Sequence, residues 1–293
     1  MRPQHGWHVT ALAALILVFA HAVATEAHAA PQRVVSVFLC TDEYVFRLVP
    51  RERIAALSVL AGDTHPVVST IADKVAGIPL IRASAEAVLG KNPDLVVMYK
   101  DTNPRLRALI LAAGVKILDV PWANSLGDVR RITTMLGKEL GAPDRARALL
   151  TEMDAKLAAA RALAPKPAVS VLIYEPNGYA TADGVSDAIL RASGLVNAAG
   201  RMHATRLGTI PVEALVAAAP QVLILNAARE GGPARADAVL RHPALAALKD
   251  RSLIAQTSLT PLLCPGPWSA DVAGEFAGMA RKAAQLAKPG AAE

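Results

Sequence analysis

Aromatic side chains make up only 4% of this 293-residue chain. With so few rings, and with no run of lysines or arginines, the stacking platforms and basic stripes that hold nucleic acid are missing, and no nucleic-acid partner is expected. Cysteine is almost absent as well. Cys40 and Cys264 are the only two, which excludes a small scaffold stapled by several disulfides and a thiol-rich metal cluster. Long hydrophobic runs are also wanting: the apolar stretch from Ala11 to Ala20 covers ten residues, about half of the ~20 that a membrane-spanning helix needs.

What is present is a chain rich enough in apolar residues, at 53%, to bury one large or two medium cores. The short apolar run follows Arg2 and leads to Ala27, His28 and Ala29, a small-x-small pattern. Residues 1–29 therefore read as a secretory signal peptide cleaved near Ala29. No cysteine follows that point, since Ala30, Pro31, Gln32 and Arg33 come next, so a free periplasmic protein is expected rather than a lipid-anchored one. The whole chain carries a formal charge of +6. The leader holds one base and one acid, Arg2 and Glu26, so the excess remains after its removal and favours anionic ligands or surfaces.

Short β-branched runs alternate with Ala/Leu-rich stretches of helical period, the mark of an α/β protein with mostly parallel strands. The clearest strands are Val34–Phe38, Leu95–Tyr99, Lys116–Val120, Val169–Tyr174 and Val222–Asn226. The longest helical pattern runs from Asp144 to Ala164. Ala146, Leu149, Leu150, Met153, Leu157 and Ala160 recur at steps of three or four on one face. This helix divides the chain into stretches of similar size, predicting an N-terminal lobe at 30–142, a connecting helix at 143–165 and a C-terminal lobe at 166–293. The two stretches also share a unit. Glu86 precedes Pro93 by seven residues and Glu213 precedes Pro220 by seven, each as a short helix stopped by proline and followed at once by a buried strand. Each Glu complements a helix N-terminus, and each also offers one acidic stud per lobe to a two-fold partner with basic sockets.

The segment from Arg33 to Glu43, the following Glu52 to Ser58, the repeated Glu…Pro units and the long central helix together resemble the helical-backbone, class III solute-binding proteins of ABC importers. That class binds vitamin B12, haem or ferric siderophores. The resemblance spans nearly the whole mature chain. It implies two α/β lobes joined by one long helix, no catalysis, no cofactor of the protein's own, and a cobalt or iron chelate as cargo. It further implies that Glu86 and Glu213 engage arginines of the dimeric permease, and that a monomer captures its ligand between the lobes at the carboxyl ends of the strands.

Loops following the strands are then the candidate contacts: Cys40, Thr41, Asp42 and Glu43; Lys100 to Asn103; Asn177 and Tyr179; and Cys264 to Trp268. The two cysteines admit three roles. A disulfide is the compartmental default; thiolate ligation would make a metal-ion carrier; a nucleophilic Cys40, with His203 or His242 as base, would make an exported thiol enzyme or redox protein. Trp268 offers either a face for a planar macrocycle or core packing, and Tyr174 is more readily placed inside its lobe than Tyr179. His65 and His203 lack a second histidine at ligand spacing. Arg206 reads as a ligand-carboxylate partner or a solvated loop residue. Because these candidates are apolar and amide-like rather than arginine-rich, a corrinoid is the favoured cargo, with ferric siderophore or haem next.

Overall fold

The computed structural model describes residues 29–63, 68–202, 208–226 and 235–287. The leader before Ala29, together with His65, His203 and Arg206, lies outside the described residues. Within them no helix is long and apolar enough to cross a membrane.

In the first lobe, β1 (Val34–Ser36), α1 (Leu39–Leu48), β2 (Ile54–Ser58), β3 (Leu80–Ile81), α2 (Ala85–Leu89), β4 (Leu95–Tyr99), α3 (Pro104–Ala112) and β5 (Lys116–Val120) follow in chain order. Their strands form one parallel sheet in the order β3-β2-β1-β4-β5. After α4 (Leu126–Glu139) and the long α5 (Pro143–Leu163) comes the second lobe. It contains β6 (Ser170–Tyr174), α6 (Gly184–Ala192), β7 (Val196–Asn197), α7 (Val212–Ala218), β8 (Val222–Asn226) and β9 (Leu253–Thr257). These strands are again all parallel, in the order β7-β6-β8-β9. Two helices, α8 (Thr260–Leu263) and α9 (Ala273–Leu286), close the described chain.

Strands buried on both faces need apolar side chains at every position, which is why Leu95–Tyr99 and Val222–Asn226 read as unbroken hydrophobic runs. Val97 and Tyr99 point to one face of the first sheet, Val96 and Met98 to the other. The same alternation sends Val171 and Ile173 one way, Leu172 and Tyr174 the other. The inner faces of both sheets share a single interior with α1, α4, α5, α6 and α9. On α5 it is Ala146, Met153, Leu157 and Ala160 that are buried, and this stripe seats the helix against α4 and α9. Pro143 starts α5 in the first-turn position where its missing N–H costs nothing.

The duplicated unit is preserved in three dimensions. The topological order β2-β1-β4-β5 of the first sheet repeats as β7-β6-β8-β9 in the second, with α2 leading into β4 and α7 into β8. The residue before each proline is left-handed: Asn92 has φ 47° and Ala219 φ 40°. The residue after each proline staples the strand alongside. Asp94 accepts from the Gln32 and Arg33 amides at 2.6 and 3.0 Å, and Gln221 accepts from the Ser170 amide at 3.0 Å.

Two expectations are corrected. The first strand ends at Ser36, because Phe38 is the extended N-cap of α1, and residues 39–43 form the opening turn of that helix instead of a loop.

Candidate functional site

In a parallel sheet all strands point the same way, so the turns after them gather at one edge. At that edge of the first lobe, Phe38 follows β1, Tyr99 ends β4 and Trp122 follows β5, on three neighbouring strands. The rings form one cluster. Tyr99 and Trp122 are stacked with centroids 4.1 Å apart and planes within 7°, and Phe38 sets its edge against both, at 5.1 and 6.2 Å. Tyr99 is buried and its hydroxyl is pushed up to about 12 by loss of solvent. Trp122 remains 50% exposed. A buried tyrosine thus backs an outward indole face, a rigid apolar platform suited to a flat ligand.

Around the platform the backbone is bent by turn chemistry. Asp101 and Asn103 both have positive φ, and Asn103 caps α3 by accepting the Leu106 amide at 3.2 Å. The Arg107 guanidinium bonds the Tyr99 carbonyl at 3.1 Å and the Asp119 carboxylate at 2.7 Å, tying the ends of β4 and β5 together. Lys100 is exposed beside them. At the matching edge of the second lobe, Asn177 (φ 61°) and Tyr179 are exposed after β6, whereas Tyr174 is buried with its hydroxyl donating to the Ile210 carbonyl at 2.8 Å.

The other expected contacts are placed differently. Cys40 and Cys264 are joined in a disulfide. The bond leaves no thiolate for metal ligation and no nucleophile at Cys40, and the His242 Nδ1 is occupied by the Ala244 amide at 3.2 Å. Among the described residues no group of three or more His, Cys, Asp or Glu could hold a metal ion.

Thr41, Asp42 and Glu43 are buried inside the lobe, because the first turn of α1 directs them at neighbouring backbone and hydroxyls rather than at solvent. Thr41 bonds Ser36 at 2.7 Å. Asp42 accepts from the amide and hydroxyl of Ser58 at 3.1 and 2.5 Å. Burial pushes its carboxyl up to about 7, against the pull of the serine hydrogen bonds. Glu43 takes Arg47, the Thr70 amide and hydroxyl, and Ser69. Trp268 is 4% exposed, its indole N–H spent on the Cys264 carbonyl at 2.8 Å, so it packs rather than presents a face.

Glu86 and Glu213 stand exposed in the first turns of α2 and α7, equivalent helices of the two lobes. A crossover helix runs back across its sheet, so its N-terminus lies at the edge where the strands end. Each glutamate therefore sits at the carboxyl edge of its own sheet, Glu86 at the edge that carries the aromatic cluster. A cavity of about 560 Å³ opens elsewhere, at the opposite edge of the first sheet, between Pro93 to Leu95, Gly114 to Leu118 and the segment Ala29 to Gln32. Its position at the amino ends of β4 and β5 separates it from the aromatic cluster.

Phe38 and Trp122 were not anticipated. The signal was available in principle: of a small stock of rings, Phe38, Tyr99, Trp122 and Tyr174 fall at or just after the ends of predicted strands, but only the strand order puts the first three side by side.

Residues 59–254 match the family of periplasmic binding proteins, and this chain belongs to that family, in its helical-backbone, class III form. No curated protein gives a significant match. Among solved structures, the chain is similar to the periplasmic haem-binding protein RhuT from Roseiflexus sp. RS-1 in its apo form. The two are 25% identical with a TM-score of 0.64, over 86% of this chain and 99% of that one. A periplasmic haem-binding protein from Pseudomonas aeruginosa is 25% identical, TM-score 0.60, over 85% and 92%. The vitamin B12-binding protein BtuF of Vibrio cholerae, 14% identical with TM-score 0.58 over 87% and 98%, shares the fold.

Proposed function

We propose that this protein captures a flat metal macrocycle of the haem type in the periplasm and delivers it, as a monomer, to an ABC importer in the membrane. The observation that carries this reading is the exposed face of Trp122, stacked on buried Tyr99 and braced by Phe38. An indole held flat by a second ring keeps its orientation without the ligand, so little ordering cost is left for binding. Asn177 and Tyr179 supply polar and aromatic contacts from the other lobe, and the protein performs no turnover. The 25% identity to haem-binding proteins, against 14% for the B12 binder, supports placing haem ahead of the corrinoid that composition favours. Glu86 and Glu213, one per lobe at the carboxyl edge of each sheet, are the docking studs for the two permease subunits.

Hemin titration followed by absorbance is the direct test, with cobalamin and a ferric hydroxamate in parallel. Saturable hemin binding is expected, weakened about tenfold in Trp122→Ala, equivalent to ~1.4 kcal/mol of lost stacking. Tighter binding of cobalamin, or no saturable hemin binding, overturns the ligand assignment. The docking role is read separately: Glu86→Arg with Glu213→Arg abolishes uptake in cells while hemin affinity stays within a few-fold. Unchanged uptake removes it.

A further inference from the structure

We propose that the Cys40–Cys264 disulfide sets the spacing of the two lobes beside the aromatic platform, so that the shape of the cleft depends on thiol oxidation. Cys40, Tyr44 and Arg47 follow one another on α1 at steps of four and three, and so share one face of the helix. All three meet the same short segment of the other lobe, the stretch 258–272 that leaves the carboxyl end of β9. Cys40 is bonded to Cys264 across 224 residues of chain. The Tyr44 hydroxyl donates to the Pro265 carbonyl at 3.4 Å, and its ring meets Trp268 edge-on at 4.7 Å. The Arg47 guanidinium lies 4.4 Å over the Trp268 ring. Trp268 in turn folds back on its own chain. A Cβ added at Gly266 would stand 2.4 Å from the indole, so only glycine permits that approach.

The segment is therefore a second crossing between the lobes, beside α5. Against α1 its polar and ring ties are one long hydrogen bond and two contacts of Trp268. Leu259, Trp268, Ala270 and Val272 add apolar packing in the shared interior and Asp271 pairs with Lys156 of α5 at 2.6 Å, while the disulfide is the covalent tie. Phe38, part of the platform, is two residues from Cys40 and caps the same helix. A shift of α1 against 258–272 thus moves a wall of the ligand site.

Closure is thiol–disulfide exchange. One thiolate attacks an external disulfide oxidant and forms a mixed disulfide; the second thiolate displaces it, leaving the Cys40–Cys264 bond and a reduced dithiol, with two protons and two electrons transferred. Both sulfurs are buried, Cys40 at 4% and Cys264 at 2% exposure, so the closed form resists reductant. The consequence for affinity rests on the haem-type reading; the lobe spacing does not.

The test uses the full mature chain in three forms: oxidised, reduced with a phosphine and shown by thiol titration to hold two free thiols, and the Cys40→Ala/Cys264→Ala variant. Amide hydrogen exchange is expected to rise at least tenfold in residues 39–48 and 258–272 of both bond-free forms, while β1, β4, β6 and β8 keep their protection. Hemin affinity of the alanine variant is expected to fall about tenfold. Unchanged exchange in both segments overturns the proposal. So does global unfolding on loss of the bond, which makes the disulfide a condition of folding instead of a spacer. If hemin fails to bind even the oxidised protein, the ligand reading falls and exchange alone decides the lobe spacing.

Discussion

The two lobes use the same electrostatic tie at different depths. On α1, Glu43 pairs with Arg47 four residues on and reaches the segment after β2 through Thr70 and Ser69. On α6, the helix in the same place after β6, Asp187 pairs with Arg191 four residues on and reaches the end of β7 through Asn197, at 2.7 and 3.0 Å. The difference lies in the solvent. Glu43 and Arg47 side chains are 1% and 16% exposed, whereas Asp187 and Arg191 are 11% and 71% exposed, so the second pair is sunk at its carboxylate alone. A carboxylate buried with its cation depends on every partner it has, while a pair whose cation stands in solvent is screened and worth less. The backbone plan is shared; its energetics are set by how far each tie is sunk into the interior.

That contrast yields the largest effect. Glu43→Ala strands the Thr70 amide and Arg47 in the interior and is expected to cost ~3–5 kcal/mol. Asp187→Ala is expected to cost about 1 kcal/mol, after discounting for the exposed arginine. Denaturant unfolding of the two variants measures both. Equal losses would show that depth does not separate the lobes.

A second asymmetry follows from the neighbouring position. Asp42 precedes Glu43 and is fully buried, whereas Ser186 precedes Asp187. The folded carboxyl of Asp42 titrates near 7, raised from 3.8 by burial. A raised folded value means that its contribution to stability is complete below about pH 4, near the unfolded value, and is lost as pH rises through about 7. Asp42→Asn therefore flattens the difference in stability between pH 4 and pH 8. The gain over the parent at pH 8 is no more than about 4 kcal/mol, since each unit is worth about 1.4 kcal/mol. Thermal melts across that range are the measurement, and parallel curves for the two proteins would mean that Asp42 stays ionised in the fold.

The same comparison shows what the sequence could disclose. Leu95–Tyr99, Lys116–Val120 and Val222–Asn226 are found as strands with those bounds, and the helix expected at Asp144–Ala164 is found at Pro143–Leu163. Continuous apolar runs and a long 3.6-residue period are strong local signals. Ile54–Ser58 gives little strand signal because two alanines and a serine carry little β preference, and Leu80–Ile81 and Val196–Asn197 are too short to show a period. The site was less legible for a different reason. Phe38, Tyr99 and Trp122 become one surface only through the sheet order β1-β4-β5, a nonlocal fact that no window of sequence contains. Asp42 and Glu43 misled for the converse reason: charged residues after a strand suggest a solvent-facing loop, and their burial is made possible by partners at Ser58, Ser69 and Thr70 that are distant in the chain.

The finest difference between the lobes lies at the left-handed residue before each proline. Asn92 tolerates φ 47° because its short polar side chain suits that region, whereas Ala219 at φ 40° holds its Cβ against the following carbonyl. If the two turns are equivalent, exchanging these residues should act with opposite signs. Ala219→Asn is expected to raise stability by about 1 kcal/mol and Asn92→Ala to lower it by about the same, each shifting the melting temperature by roughly 2–4 °C for a chain of this size. Both substitutions are small, and both sites end a helix at the amino edge of a sheet, remote from the ligand platform, so hemin affinity should stay constant. Shifts of the same sign in the two variants would show that the turns differ in more than the residue they hold, and that the likeness between the lobes stops at the helix end.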